Sequence, residues 1–261
     1  MTVDVVAIGA HPDDVELGCG ATLALMAANG RSAAIVHLSS GEAGSRGTPE
    51  ERRREAARAA EALGVAAPEF LDCGDGALRT GREEEDRLIE VLRRLRPRLV
   101  LGPPPSDRHP DHGRAHALVR AACFYSGLAK RWPGPGAAPH RPPAMYCYLQ
   151  HDLVVPSFVV DVTASWPRKM AALDAYASQL WRPDSSSSGA GREHDSGGSV
   201  PSGVAPPGPA TLVSSPEFRL AVEGRARDLG LLVGATFGEG FLALGPLAVA
   251  DPLELVPQGL R

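Results

Sequence analysis

Hydrophobic and polar positions alternate in two rhythms along the first hundred residues. Val3-Asp4-Val5-Val6-Ala7-Ile8-Gly9 is a nearly continuous apolar run ending in a Gly-Ala turn, which suits a parallel strand buried on both faces. Residues 15–29 then predict a helix with Gly30 as its stop signal. Residues 32–38 read as a second strand and 39–48 as a loop of glycine and small residues. Thr48-Pro49-Glu50-Glu51 marks the next helix start, because Thr can cap, Pro fits the first turn and Glu51 completes a capping box. That helix is predicted to turn Ala56, Ala57, Ala60 and Leu63 inward and to end near Gly64. Glu69-Phe70-Leu71 predicts a third strand, residues 83–95 a helix with Leu88, Ile89, Val91, Leu92 and Leu95 at helical spacing, and Leu99-Val100-Leu101 a fourth strand.

Strand and helix in this order predict an α/β fold, a Rossmann-like, mostly parallel sheet with helices on both faces, in a single domain over residues 1–261. The second half is less regular: strands at 145–150, 157–162 and 240–244, helices at 168–179 and 216–229. Residues 183–209 carry Ser185-Ser186-Ser187-Ser188, many Gly and Pro and few large apolar residues, and are predicted to be a flexible surface insertion.

Composition narrows the picture by exclusion. The 261 residues are 43% hydrophobic and 22% charged with a formal net charge of −4, which gives no electrostatic footprint for nucleic acid. No apolar stretch approaches the roughly 20 residues of a membrane span, and the first residues run directly into a strand without a basic leader, so a cytoplasmic protein without membrane contacts is expected. Cys19, Cys73, Cys123 and Cys147 are scattered without a Cys-x-x-Cys pair and predict buried free thiols.

Chemistry is concentrated in two short runs, Ala10-His11-Pro12-Asp13-Asp14 after the first strand and His109-Pro110-Asp111-His112 after the fourth. In parallel sheets ligands bind beyond the carboxyl ends of strands, and adjacent strands would bring the two runs together. Together they offer the His and Asp ligands of a catalytic zinc site, with carboxylates left over to act as a base. A helix starting near Pro12 would favour ionised Asp13 and Asp14 through its positive end. His109 is a candidate to stabilise an oxyanion or protonate a departing group, with Asp111 orienting its ring and raising its pKa. Asp75, between Gly74 and Gly76, could accept hydrogen bonds from a substrate.

The chain resembles the PIG-L, or LmbE-like, zinc de-N-acetylases. The resemblance is carried by residues 10–18, by Gly47-Thr48-Pro49-Glu50-Glu51-Arg52 with Glu55-Ala56, by Asp107-Arg108-His109-Pro110-Asp111-His112, by Ser178-Gln179 and by Gly238-Glu239-Gly240-Phe241. It implies an LmbE-like fold, zinc or another divalent ion such as Fe2+, metal ligands His11, Asp14 and His112, and Asp13 as general base. It also implies that Arg52 and Arg108 reach the sugar or an acidic aglycone, and that the protein is a homo-oligomer. Within the family the Arg52 segment, the Asp107-Arg108 prefix and Ser178-Gln179 look most like the bacillithiol-biosynthesis branch, whose substrate is N-acetylglucosaminyl malate. Residues 183–209 depart from that pattern.

Each run has a plainer reading. His11-Pro12-Asp13-Asp14 could be a turn with a capping Asp, and the second run a polar loop leading into a helix. His116, one helical turn after His112, reads as packing, His37 as a hydrogen-bonded core histidine, His151 as lining the mouth, and His140 and His194 as solvated. Three functions follow: a de-N-acetylase of a small glucosaminyl conjugate, a zinc amidohydrolase of another N-acyl sugar (chitin-derived, mycothiol-type or antibiotic), and an inactive sugar-binding module.

Overall fold

A computed structural model describes residues 2–131, 138–183, 203–206 and 208–255. The predicted insertion at 183–209 lies largely outside the described residues, as does His194; its described margins, β7 (Arg182–Pro183) and β8 (Gly203–Val204), pair antiparallel.

The main sheet has seven strands: β1 (Val5–Gly9), β2 (Ala33–His37), β3 (Glu69–Phe70), β4 (Leu99–Gly102), β5 (Ala144–Tyr148), β6 (Phe158–Asp161) and β9 (Gly238–Ala243). Their order is β3-β2-β1-β4-β5-β9-β6. All pairs from β3 to β5 are parallel, whereas β9 inserts antiparallel between β5 and β6. The predicted, mostly parallel α/β sheet is therefore present. Alternation along each strand serves two cores: Val5, Ala7, Ile35 and Leu101 pack with α1 (Asp14–Ala28), α2 (Pro49–Leu63) and α5 (Trp166–Asp174). Val6, Ile8, Val36 and Val100 pack with α3 (Arg82–Leu95) and α4 (Pro110–Tyr125) on the opposite face. This double burial explains the continuous apolar runs.

Two expectations shift. In α2 the inward face uses Ala59 in place of Ala57, because 3.6-residue periodicity joins Ala56, Ala59, Ala60 and Leu63 into one stripe while Ala57 is exposed. Helix α5 ends at Asp174, short of residue 179: the Ser178 amide and hydroxyl instead bond the buried Glu55 carboxylate, both at 2.7 Å. Gln179 donates to the Arg46 carbonyl at 2.8 Å, so the Ser178-Gln179 pair braces the 39–48 loop. The Thr48 hydroxyl caps α2 as predicted, accepting from Glu51 N–H at 3.1 Å.

Helix α1 is broken at Cys19 (φ −145°). The freed amides of Ala21 and Thr22 donate to Glu239, while Lys169 bridges the Leu17 carbonyl at 2.7 Å and Glu239 at 2.6 Å. All of these side chains are buried. Lys169→Met would strand a buried carboxylate, and a loss of about 3–5 kcal/mol in unfolding free energy is expected by denaturant titration.

The chain leaves β1 for β2 and β3 on one side and returns to β4 on the other. The carboxyl ends of β1 and β4 thus flank a topological switch point, where open α/β sheets form their ligand crevice.

Candidate metal centre

Residues 10–13 connect β1 to α1, and residues 103–109 connect β4 to α4. Gly9 permits the first turn, since a Cβ there would lie 3.0 Å from the His11 carbonyl oxygen and 3.1 Å from Asp14 Cβ. Asp13 adopts φ 103°, a left-handed conformation that is strained for a non-glycine residue and characteristic of functional sites. Its side chain makes no capping hydrogen bond. Asp14 Oδ2 accepts from the His11 amide at 2.8 Å. The reading of these residues as an ordinary capped turn therefore fails.

His11 Nδ1 lies 3.5 Å from Asp14 Oδ2, and His112 Nε2 lies 3.2 Å from Asp14 Oδ1. The other nitrogen of each ring faces another carboxylate: His11 Nε2 is 3.0 Å from Asp75 and 3.5 Å from Asp111, and His112 Nδ1 is 3.4 Å from Asp107. These outer contacts have ion-pair distances without hydrogen-bond alignment. Gln150 Nε2 donates to Asp14 Oδ1 at 2.8 Å. Two imidazoles converging on one carboxylate, each backed by a further carboxylate, form a donor set suited to a divalent cation.

Charge gives an independent test of that fit. Burial would lower the His112 pKa, yet Asp14 and Asp107 push it up to about 10. Burial likewise opposes protonation of His11, but Asp111, Asp14 and Asp75 hold it well above its ordinary value. Burial would raise Asp14, and His112 and His11 hold it well below the carboxylate range. The surrounding carboxylates thus favour the protonated form of both imidazoles. A divalent cation would replace those protons and leave the imidazoles free to ligate. Among the described residues, His11, His109 and His112, and His11, Asp75 and Asp111, have ligand atoms within 4.8 Å of one another, with Asp14 between the His11 and His112 rings. Because ion and protons compete, the apparent metal affinity is expected to weaken as pH falls. Each released proton contributes up to about tenfold per pH unit below its pKa, and calorimetry in buffers of different ionisation enthalpy reads the proton count.

Asp13 lies at the edge of this cluster. Burial pushes its carboxyl up to about 7, against the pull of the Arg52 guanidinium 3.4 Å away. His109 caps α4 through its ring: Nδ1 accepts the Asp111 amide at 3.2 Å, which leaves Nε2 as the hydrogen-bearing nitrogen. Burial, then His11 and His112, lower its pKa, so at neutral pH it is a neutral donor.

Three predicted site residues take different places and a fourth, Arg108, stays at the cavity wall. The Asp111 carboxylate does not orient His109; it accepts from the Gly76 and Leu78 amides and Arg114 and faces His11. Asp111 still pulls the His109 pKa upward as expected, but burial, His11 and His112 outweigh it and the net shift is down. Asp75 backs His11 and accepts from Ala43 N–H at 2.8 Å. Arg52 is buried, donating to the Pro12 carbonyl at 2.5 Å and facing Asp13, so it supports the base. Arg108 alone has an exposed guanidinium, without a hydrogen-bond or ion-pair partner among the described residues, and it lines the site cavity.

Asp107 and Gln150 were not singled out as site residues. Gln150 follows directly on β5, beside β4, and a polar residue at that edge was the available signal. His116 packs, with Nδ1 3.1 Å from the Pro103 carbonyl. His151 lines the cavity beside His112. Buried His37 makes no well-aligned hydrogen bond through either ring nitrogen among the described residues, and burial pushes it down to about 3 against the opposing pull of Asp14 and of the His11 backbone, so it is a neutral core residue. His140 bonds the Pro97 carbonyl and is half-buried rather than solvated. All four cysteines are buried and free, as predicted. No helix among the described residues is long and apolar enough to cross a membrane.

His11, Asp13, Asp14, Arg108, His109 and His112 line a cavity of about 310 Å3. Comparison with known proteins places this architecture. The PIG-L family, described as GlcNAc-PI de-N-acetylase, matches residues 6–123. Diacetylchitobiose deacetylase of Thermococcus kodakarensis is 31% identical over 201 residues, covering 69% of this chain and 73% of its own. The 1D-myo-inositol 2-acetamido-2-deoxy-alpha-D-glucopyranoside deacetylase of Kineococcus radiotolerans is 31% identical over 245 residues, covering 66% and 68%. A solved structure of a hydratase is also similar: GalB, the 4-carboxy-2-hydroxymuconate hydratase of Pseudomonas putida, is 26% identical with a TM-score of 0.71, covering 96% of this chain and 99% of that one. The chain belongs to the PIG-L family of metal-dependent de-N-acetylases.

Proposed function

We propose that this protein hydrolyses the N-acetyl group of a small N-acetylglucosaminyl conjugate, yielding acetate and the free amine. The observation that carries the reading is the convergence of His11 and His112 on Asp14, with Asp13 and the His109 donor at its edge. Zinc is the proposed ion, with Fe2+ as the alternative, held by His11, Asp14 and His112. When bound it supplies Lewis acidity toward water and the amide carbonyl. Asp13, ionised with Arg52 beside it, accepts a proton from the attacking water. His109 Nε2–H donates to the developing oxyanion, a contact typically worth on the order of 100-fold or more in rate. Asp75, Asp111 and Asp107 hold the two imidazoles in orientation, and Gln150 holds Asp14. A cavity of about 310 Å3 is at the small end of ligand sites, in keeping with a sugar-sized substrate.

For the aglycone we propose malate, because Arg108 is a free guanidinium at the cavity wall and its fork can hold a carboxylate bidentately. The GlcNAc-inositol and diacetylchitobiose deacetylases among the relatives make neutral aglycones the direct competitors. The test is kcat/KM on N-acetylglucosaminyl malate, its inositol counterpart and diacetylchitobiose. Malate is expected to lead by at least about tenfold, roughly 1.4 kcal/mol, with Arg108→Met removing that lead by raising KM. A neutral conjugate in first place would overturn the malate assignment. The hydratase likeness supports a second reading, water addition to an unsaturated carboxylic acid, which consumes substrate without acetate release.

A further inference from the structure

Behind the metal centre lies a smaller chamber of about 40 Å3. Leu17, Gln150 and His151 line both it and the main cavity, so the two spaces are neighbours. At about 10–15 Å3 per water it takes roughly three, the size of a molecule of four heavy atoms. Two of its lining residues carry a buried polar atom without a hydrogen-bond partner among the described residues, Gln150 Oε1 and Arg225 Nε. Gln150 is only 6% exposed, and its Nε2 is committed to Asp14. Arg225, on α6 (Pro216–Leu231), donates through Nη2 to the His151 carbonyl at 2.7 Å, and no ion pair engages it among the described residues. The other charges in the wall, Lys169 and Glu239, neutralise each other at 2.6 Å. The chamber is thus small and lined by one acceptor and by one cation whose Nε–H no hydrogen bond among the described residues takes up, with the Asp107 and Asp152 carboxylates acting on it from outside the lining.

We infer that this chamber is a binding site for a short carboxylate, which receives the acetate product through Arg225. The inference rests on the deacetylase reading for the source of its ligand. Amide hydrolysis, R–NH–CO–CH3 plus water to R–NH3+ and CH3COO−, creates an anion of this size next to Gln150. Arg225 offers Nε–H to one carboxylate oxygen, and a water hydrogen-bonds the Gln150 acceptor. Acetate can then leave the reacting position while the amino sugar still fills the wide mouth.

The test uses 13C-labelled acetate as probe, titrated by NMR into the full chain, both metal-loaded and stripped with a chelator. Binding that persists without metal is expected, weakened at least about tenfold in Arg225→Gln. Ala221→Leu, which narrows the chamber from an exposed wall position one helical turn before Arg225 and keeps the guanidinium, is expected to weaken it as well, and guards against local unfolding in the first variant. Longer acids such as butyrate should bind more weakly than acetate. Acetate binding that vanishes with the metal, or that is unaltered in both variants, overturns the proposal. A protein that binds acetate in this way but releases none from any N-acetyl sugar keeps the site and refutes only the deacetylase reading.

Discussion

Replacing Asp13 by Asn is expected to lower kcat by about 10^2 to 10^4-fold while the bound metal is retained. Asn keeps the side-chain volume and tolerates the φ of 103° found at this position better than most residues, so the turn should survive. What disappears is an acceptor for the proton of the attacking water. The pH profile separates this from a folding defect. Asp13 acts as a base only when ionised, and burial sets its pKa near 7 before a cation is present. A cation nearby lowers that value further. In the native protein kcat/KM should therefore rise with pH through a limb at or below about 7 and flatten above it, and the Asn variant should lose that limb. Pre-steady-state kinetics and metal analysis on the same samples check both halves.

Asp14→Ala is expected to abolish turnover by a different route, through loss of the metal itself. Asp14 is the carboxylate on which His11 Nδ1 and His112 Nε2 converge, and without it the two imidazoles have no shared anionic partner. Metal content measured by plasma emission after dialysis should fall with activity, and excess metal should restore little of either. Asp107→Asn, which alters only the group behind His112, should be milder. Such outer partners typically change metal affinity by about 10- to 100-fold, and excess metal should then recover the rate. Metal retained in Asp14→Ala at native affinity would show that the ion is held elsewhere.

The parallel half of the fold was legible because β1, β2 and β4 are buried on both faces and read as unbroken apolar runs alternating with helices. β9 was harder to place, since a short Gly-containing strand says nothing of its direction and its partners β5 and β6 are distant in sequence. The end of α5 was hidden for a similar reason: Glu55, more than a hundred residues away, competes for the Ser178 amide. At the site, the two runs named the convergent residues, because strand order brings the ends of β1 and β4 together. Supporting contacts were not legible. That Asp75 backs His11, that Arg52 turns inward to Asp13, and that Asp111 bonds the Gly76 and Leu78 amides depend on side-chain directions across loops, which no spacing encodes.

The central claim, metal-dependent removal of an acetyl group, is met most directly by quantifying acetate and free amine in one reaction. The metal-loaded protein, acting on an N-acetylglucosamine conjugate, should release the two in equal amounts. Release should stop with a chelator and resume when zinc is restored. Undiminished turnover after the metal is stripped, or hydration of an unsaturated acid with no acetate from any N-acetyl conjugate, would contradict it.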